Sequence, residues 1–149
     1  MKSARRRSRE IALQALYAWQ LAGGDAAALL DQAAALEGYE RADQEFVRTL
    51  IRGVLARSGE IEQLIAPHLT QRSFAQLSPV ERAILCIAAF ELAAQPQTPF
   101  KVIVNEAIEL GKSFGGADGY KFVNGVLEKL AAQLRAHEVA LAAQARQTA

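Results

Sequence analysis

Basic residues are concentrated at the start of the chain, where five of the first nine residues are Lys or Arg and none is acidic. They are Lys2, Arg5, Arg6, Arg7 and Arg9. The rest of the chain carries 12 basic and 16 acidic residues, so a basic end joins a mildly acidic body. This distribution predicts a local contact with a polyanion, since the planar donor fork of arginine matches phosphate.

The arginines also stand where a helix would disfavour them. The apolar spacing predicts a first helix that begins at Ser3 or Ser8. Cations near a helix N-terminus are unfavourable, each by roughly 0.3–1 kcal/mol when exposed. Because helix stability does not require arginines there, a bound anion explains them better than a solvated charge run, which remains the alternative.

A glycine-rich stretch, "SFGGADGYKFVNGVL" (113–127), is the second candidate for phosphate binding. Its spacing does not match GxxxxGK followed by Ser or Thr, because Phe122 follows Lys121, so a nucleotide-binding loop is disfavoured. We expect Gly115 or Gly116 to end one helix in a left-handed turn and Asp118 to cap the next.

Two lysines flank this stretch. Lys121 would be a second cation in the first turn of a helix, whereas Lys112 falls in a last turn that suits its charge. Three aromatic residues accompany these cations: Phe114, Tyr120 and Tyr17. Core packing is the ordinary role of such residues, and stacking on unpaired RNA bases is the alternative.

Catalytic and metal-binding groups have little support in the sequence. His68 and His137 have no paired ligand spacing, and Glu106 and Glu109 are spaced as on any helix surface. The single cysteine, Cys86, lies among apolar residues and excludes an internal disulfide or cysteine-cluster metal site. We therefore expect no enzyme activity, no cofactor and no metal. With neither a secretory signal nor a membrane span in the pattern, we expect a cytoplasmic protein.

Every periodic segment has the helical period, so the sequence predicts an all-α fold of about seven helices. The clearest helix start is "SPVE", where Ser78 and Glu81 would form a capping box around Pro79. The helix that follows is apolar on nearly every side and should be the buried centre of a bundle. We expect an N-terminal helical subdomain (about 1–70), a C-terminal one (about 71–135) and a frayed tail (136–149).

Three segments carry a family resemblance: "RRRSREIALQALYAWQ", "SPVERAILCIAAFEL" and "PFKVIVNEAIELGKSFGGADGYKFVNGVLEKL". Together they resemble the NusB family of bacterial transcription antitermination factors from about residue 2 to 134. The resemblance implies two packed helical bundles and no enzyme activity. It also implies binding of single-stranded boxA RNA jointly with NusE, a small-subunit ribosomal protein, within an RNA polymerase antitermination complex that contains other Nus factors.

The resemblance also implies where these partners bind. The RNA-facing residues it implies are Lys2, Arg5, Arg6, Arg7 and Arg9, with Lys112, Phe114, Asp118 and Lys121. It implies that NusE contacts the "SPVERAI" helix start, with Glu81 as the charged candidate.

Other functions stay open at the level of sequence. The same fold could serve as an RNA-binding domain in ribosomal RNA maturation, or as an adaptor that binds only proteins. A helix-turn-helix DNA-binding protein is disfavoured, because no helix carries several polar residues suited to reading bases. The sequence does not decide between a monomer and a homodimer.

Overall fold

The helical period of the sequence is carried through the whole structure. The computed structural model describes residues 2–116 and 118–148, and within them every regular element is helical, as the sequence predicted. The eight helices are α1 (Ala4–Ala22), α2 (Ala26–Ala34), α3 (Gln44–Ala56), α4 (Ser58–Ile65), α5 (Pro79–Ala94), α6 (Phe100–Phe114), α7 (Gly119–Leu134) and α8 (Ala136–Thr148). Short 3-10 turns lie at Tyr39–Arg41, Ala66–His68 and Phe74–Gln76.

Side-chain caps fix four of the helix starts. The side chains of Ser3, Asp25, Asp43 and Ser78 each accept a hydrogen bond from a backbone N–H in the first turn of the helix that follows. The first helix therefore begins after Ser3 and not at Ser8. The cap predicted at Ser78 is confirmed. Each cap satisfies one of the N–H groups that a helix start leaves without a partner.

The capping box predicted at the start of α5 is only half formed. The Glu81 N–H donates to Ser78 Oγ at 3.1 Å, as predicted. The Glu81 carboxylate does not return to the Ser78 backbone; it accepts from Arg72 Nη1 at 3.1 Å. Arginine offers a charged fork, which binds a carboxylate more strongly than a neutral amide does. A complete capping box forms instead between Ser73 and Gln76.

Helix α5 lies at the centre of the fold, as its apolar sequence predicted. It contacts α1, α3 and α4 on one side and α6 and α7 on the other. Ile84, Leu85 and Ile87 are almost completely buried and belong to one continuous apolar core. Helix α5 therefore contacts helices from both the N-terminal and the C-terminal parts of the chain.

The C-terminal segment differs from the predicted frayed tail. Residues 136–148 form α8, none of whose residues is buried, while residue 149 lies outside the described residues. The Arg135 guanidinium donates to the carbonyls of Leu92 and Gln95 at 2.9 and 3.0 Å, and so caps the end of α5. Within the described residues, no helix is both long enough and apolar enough to cross a membrane.

Glu138, near the start of α8, helps to fix the start of α6. Its carboxylate accepts the backbone N–H of Phe100 at 2.8 Å and pairs with Arg135 at 2.7 Å. Burial alone would raise the pKa of the Glu138 carboxyl. The Phe100 N–H and the Arg135 guanidinium outweigh that effect, so the pKa of Glu138 is lowered.

Candidate nucleic-acid interface

The start of α1 lies beside the end of α6. A narrow cleft of about 40 Å³ is lined by side chains from both helices. Its lining residues are Lys2, Arg6, Arg9, Glu10, Glu106, Glu109, Leu110 and Ser113. Because Ser113 stands between Lys112 and Phe114, the arginine-rich end and the glycine-rich stretch are neighbours in space.

Arg6 is held by an acidic residue from α6. Its Nε lies 3.2 Å from both carboxylate oxygens of Glu106, and its Nη2 donates to Glu106 Oε2 at 2.6 Å. The hydrogen bond with Glu106 raises the pKa of the Arg6 guanidinium. The Arg6 side chain nevertheless keeps 41% of its surface exposed, against 12% for Glu106.

Arg9 was predicted to face RNA, and the structure places it in the interior. Its side chain is only 4% exposed and forms a two-pronged ion pair with Glu91 of α5, at 2.8 Å from both Nε and Nη2. Arg9 Nη1 also lies 3.5 Å from Glu106 Oε1. A buried charge requires such partners, so Arg9 joins α1 to α5 and α6 and is not available to a surface ligand.

The other N-terminal cations lie nearer the surface. Lys2 pairs with Glu10 at 2.9 Å and is half exposed. The Arg5 guanidinium stacks 3.7 Å above the centroid of the Phe46 ring, a cation–π contact. Arg7 is partly exposed and makes no ion pair with any residue that the structure describes. The expectation that stability does not require the N-terminal arginines is therefore wrong for Arg9 and incomplete for Arg6.

The glycine-rich stretch turns differently from the prediction. Gly115 ends α6 with φ −87° and ψ 179°, which is extended and not left-handed backbone. Position 115 requires glycine for steric reasons, because an added Cβ would lie 2.7 Å from the Gly111 carbonyl oxygen. Asp118 occupies the cap position of α7, but its side chain makes no capping hydrogen bond. It pairs instead with Lys121 at 3.2 Å, and both side chains are mostly exposed.

Lys112 and Phe114 lie at the end of α6, Tyr120 lies in the first turn of α7, and Tyr17 lies further along α1. Lys112 lies 3.8 Å from Glu109 and 5.3 Å from the centroid of the Tyr120 ring. Phe114 is 39% exposed, and Tyr17 on α1 is 40% exposed. Both rings therefore offer apolar surface to solvent, as base stacking would require.

Glu81, the predicted protein-binding residue, lies in a separate cluster. Its side chain is 14% exposed and is paired with Arg72, which is 37% exposed. The Arg72 guanidinium also lies 4.2 Å from the centroid of the Phe122 ring on α7. A partner at this surface would therefore meet the outer part of Arg72 together with Glu81.

The fold also sets the surroundings of the single cysteine and of the candidate metal ligands. Burial raises the pKa of the Cys86 thiol to about 12, so it stays protonated at neutral pH. No cluster of three or more metal-ligating side chains occurs in residues 2–116 and 118–148. A cavity of about 470 Å³ is lined by Trp19, Phe74, Arg82 and Cys86 among others, and by none of the N-terminal cations or residues of the glycine-rich stretch.

Sequence reasoning missed the acidic partners of the arginines. Glu106 was interpreted as an ordinary surface residue, and Glu91 was not singled out. One signal for Glu91 was present: it is a lone acid in the second half of an otherwise apolar helix. A carboxylate in such a position must find a cation. The cation that pairs with Glu91 could not be identified from sequence spacing, because Arg9 lies 82 residues away.

Comparison with known proteins agrees with this architecture. The model of the NusB family matches residues 6–132. The chain belongs to the NusB family. Among NusB relatives, the transcription antitermination protein NusB of Paraburkholderia phytofirmans is 52% identical over 138 residues, covering 93% of this chain and 95% of that protein. NusB of Dechloromonas aromatica is 48% identical over 145 residues, covering 97% of this chain and 88% of that protein.

Solved NusB structures share the fold. The structure of T. maritima NusB matches with a TM-score of 0.78 at 34% identity, covering 88% of this chain and 92% of that chain. A chain in a crystal structure of the antitermination factors NusB and NusE in complex with double-stranded RNA matches with a TM-score of 0.76 at 26% identity. That match covers 84% of this chain and 93% of the other.

Proposed function

We propose that this NusB-family chain is a transcription antitermination factor. It acts as a non-enzymatic adaptor in the cytoplasm, binds boxA RNA jointly with NusE, and promotes processive transcription of ribosomal RNA operons. The observation that carries the proposal is the meeting of two cation-bearing helix ends, the start of α1 and the end of α6, which leads into α7. The relatives at about 50% identity are named as antitermination proteins, which supports the same activity here.

The proposed RNA surface combines the cations that remain accessible with two neighbouring residues. Its cations are Lys2, Arg5, Arg6 and Arg7 at and just before the start of α1, Lys112 at the end of α6 and Lys121 at the start of α7. Phe114 adds an aromatic ring, and the Asp118 carboxylate lies beside Lys121, where it weakens the attraction for phosphate. Arg9 is left out because its guanidinium is buried and bonded to Glu91. Cations recruit the phosphates, and the half-exposed rings of Phe114 and Tyr17 provide surfaces for unpaired bases.

Binding of three nucleic acids tests the RNA part of this proposal. A fluorescent single-stranded boxA-like RNA, a scrambled RNA of equal length and a duplex DNA are titrated with the protein at several salt concentrations. We expect tightest binding to the boxA-like RNA and an affinity that falls with salt, since phosphate contacts release counterions. Equal, weak binding to all three would refute specific RNA recognition.

A pair of variants on α7 locates the surface. Lys121→Ala should weaken binding of the boxA-like RNA, because Lys121 is an exposed cation at the start of α7. Lys129→Ala, an exposed lysine two turns further along the same helix, is the matched control and should bind as the unaltered chain does. Equal losses in both variants would mean that total charge, and not this surface, determines the affinity.

The NusE part is tested separately with purified NusE. We expect NusE to tighten binding of the boxA-like RNA, and Glu81→Ala to weaken binding of NusE measured by calorimetry. Because the Glu81 carboxylate also accepts a hydrogen bond from Arg72, the affinity of Arg72→Ala for NusE is measured as well. A Glu81 variant that binds NusE with unchanged affinity would remove this residue from the proposed contact.

A further inference from the structure

A chain of four alternating charges runs from the surface into the core. Arg6 on the surface is bonded to Glu106, Glu106 lies 3.5 Å from Arg9, and Arg9 is bonded to the buried Glu91. The exposed fraction of the side chains falls from 41% at Arg6 through 12% and 4% to 1% at Glu91. Three helices, α1, α6 and α5, each contribute to it.

Glu106 occupies only one edge of the Arg6 guanidinium. The bonds to the carboxylate use Nε and Nη2. A guanidinium has five N–H donors, so the pairing leaves both donors of Nη1 and one of Nη2. One Nη1 donor and the remaining Nη2 donor are parallel and form a second fork, and Nη1 donates to no residue that the structure describes. A phosphate can occupy this second fork while Glu106 keeps the first.

We infer that Glu106 is a positioning residue for RNA, which holds the Arg6 guanidinium in place while its outer fork is offered to a phosphate. Arg9 and Glu91 hold Glu106 in turn, so Arg9 supports the RNA surface without touching it. The inference rests on the proposed function, since it assigns Arg6 to a phosphate of the bound RNA. A fixed guanidinium loses less conformational freedom on binding than a mobile one.

The opposite role would be that of a competitor, in which Glu106 must leave before phosphate can bind. The geometry disfavours it. Glu106 is largely buried and lies beside a second, fully buried cation, so moving it away would leave Arg9 with one partner fewer. The two roles predict opposite signs, because removing a competing carboxylate strengthens RNA binding and removing a positioning one weakens it.

The test measures affinity for the labelled boxA-like RNA in Glu106→Gln, Arg6→Ala and the double variant. We expect Glu106→Gln to weaken binding about three- to tenfold even though it removes a negative charge. Its salt slope should fall by about 0.7, the value for one contact to single-stranded nucleic acid. The double variant should bind no more weakly than Arg6→Ala, because the two residues act as one unit.

Glu128→Gln is the matched control. Glu128 is an exposed acid on α7 that does not line the cleft and makes no ion pair among the described residues, so its loss should leave RNA affinity unchanged or slightly higher. Tighter binding by Glu106→Gln, or unchanged affinity with a lowered melting temperature, would overturn the positioning role. If the unaltered chain does not prefer the boxA-like RNA to the scrambled one, the proposed function fails and this inference fails with it.

Arg6→Lys covers the case in which Glu106→Gln does not fold. It keeps the charge at a side chain that is 41% exposed, but a single ammonium has no second fork. We expect it to lose affinity, and unchanged affinity would overturn the inference.

Discussion

The Arg9–Glu91 pair gives the strongest prediction for stability. Arg9→Met removes a cation that is bonded to Glu91 at 2.8 Å through two donors, and both side chains are almost fully buried. The variant leaves a buried carboxylate without its main partner, which costs about 3–5 kcal/mol. A change of that size takes a large part of the total stability of a domain, about 5–15 kcal/mol.

Urea unfolding and thermal unfolding, both followed by circular dichroism at neutral pH, measure this loss. For a chain of this length we expect the melting temperature of Arg9→Met to fall by about 6–20 °C. Arg7→Met is the matched control, because Arg7 lies two residues away without an ion pair in the described residues; it should change stability by under about 0.5 kcal/mol.

The double variant Arg9→Met, Glu91→Met tests the cause of that loss. Replacing both charges by apolar side chains of similar length removes the uncompensated charge, so much of the stability should return. An Arg9→Met protein as stable as the original chain but weaker in RNA binding would refute this reasoning. That result would return Arg9 to the surface role predicted from the sequence.

Three further substitutions have expected outcomes. Asp118→Asn should leave the melting temperature unchanged, since Asp118 makes no cap bond, and should tighten RNA binding up to about fivefold in a fluorescence titration. Glu138→Gln should cost under about 1 kcal/mol at pH 7. The pKa of Glu138 is lowered from its ordinary value of 4.5, so its contribution is present above that pH and is lost as the pH falls through the lowered pKa; urea unfolding should show the variant and the original chain converging there. Gly53→Ala should lower the free energy of unfolding by about 1–3 kcal/mol, measured with urea, because an added Cβ would overlap the Phe90 ring.

Local features of the sequence predicted the helices well. The caps at Asp25, Asp43 and Ser78 are local, since the capping oxygen and the N–H it accepts lie three residues apart, and the one predicted at Ser78 is confirmed. The buried position of α5 followed from its apolar composition. Asp118 shows the limit of the same logic: it stands where a cap is expected, but its carboxylate pairs with Lys121.

The candidate site was predictable only in outline. Its cations are visible as a cluster in the sequence, yet which of them remain available depends on acids far away in the chain. Glu106 is 100 residues from Arg6, and no local spacing rule connects the two. Arg6 and Arg9 are three residues apart on one helix, and only the packing of α5 and α6 makes one exposed and the other buried.

The same packing decides whether the arginine-rich start of α1 needs a bound anion to be stable. No acid stands in the first turn of α1, so this helix alone would be destabilised by its own cations. In the folded chain, Ser3 caps the helix while Glu91 and Glu106 supply negative charge from other helices. The fold therefore does not need a bound anion for its stability. RNA would add stability only by mass action, in proportion to its concentration over its dissociation constant.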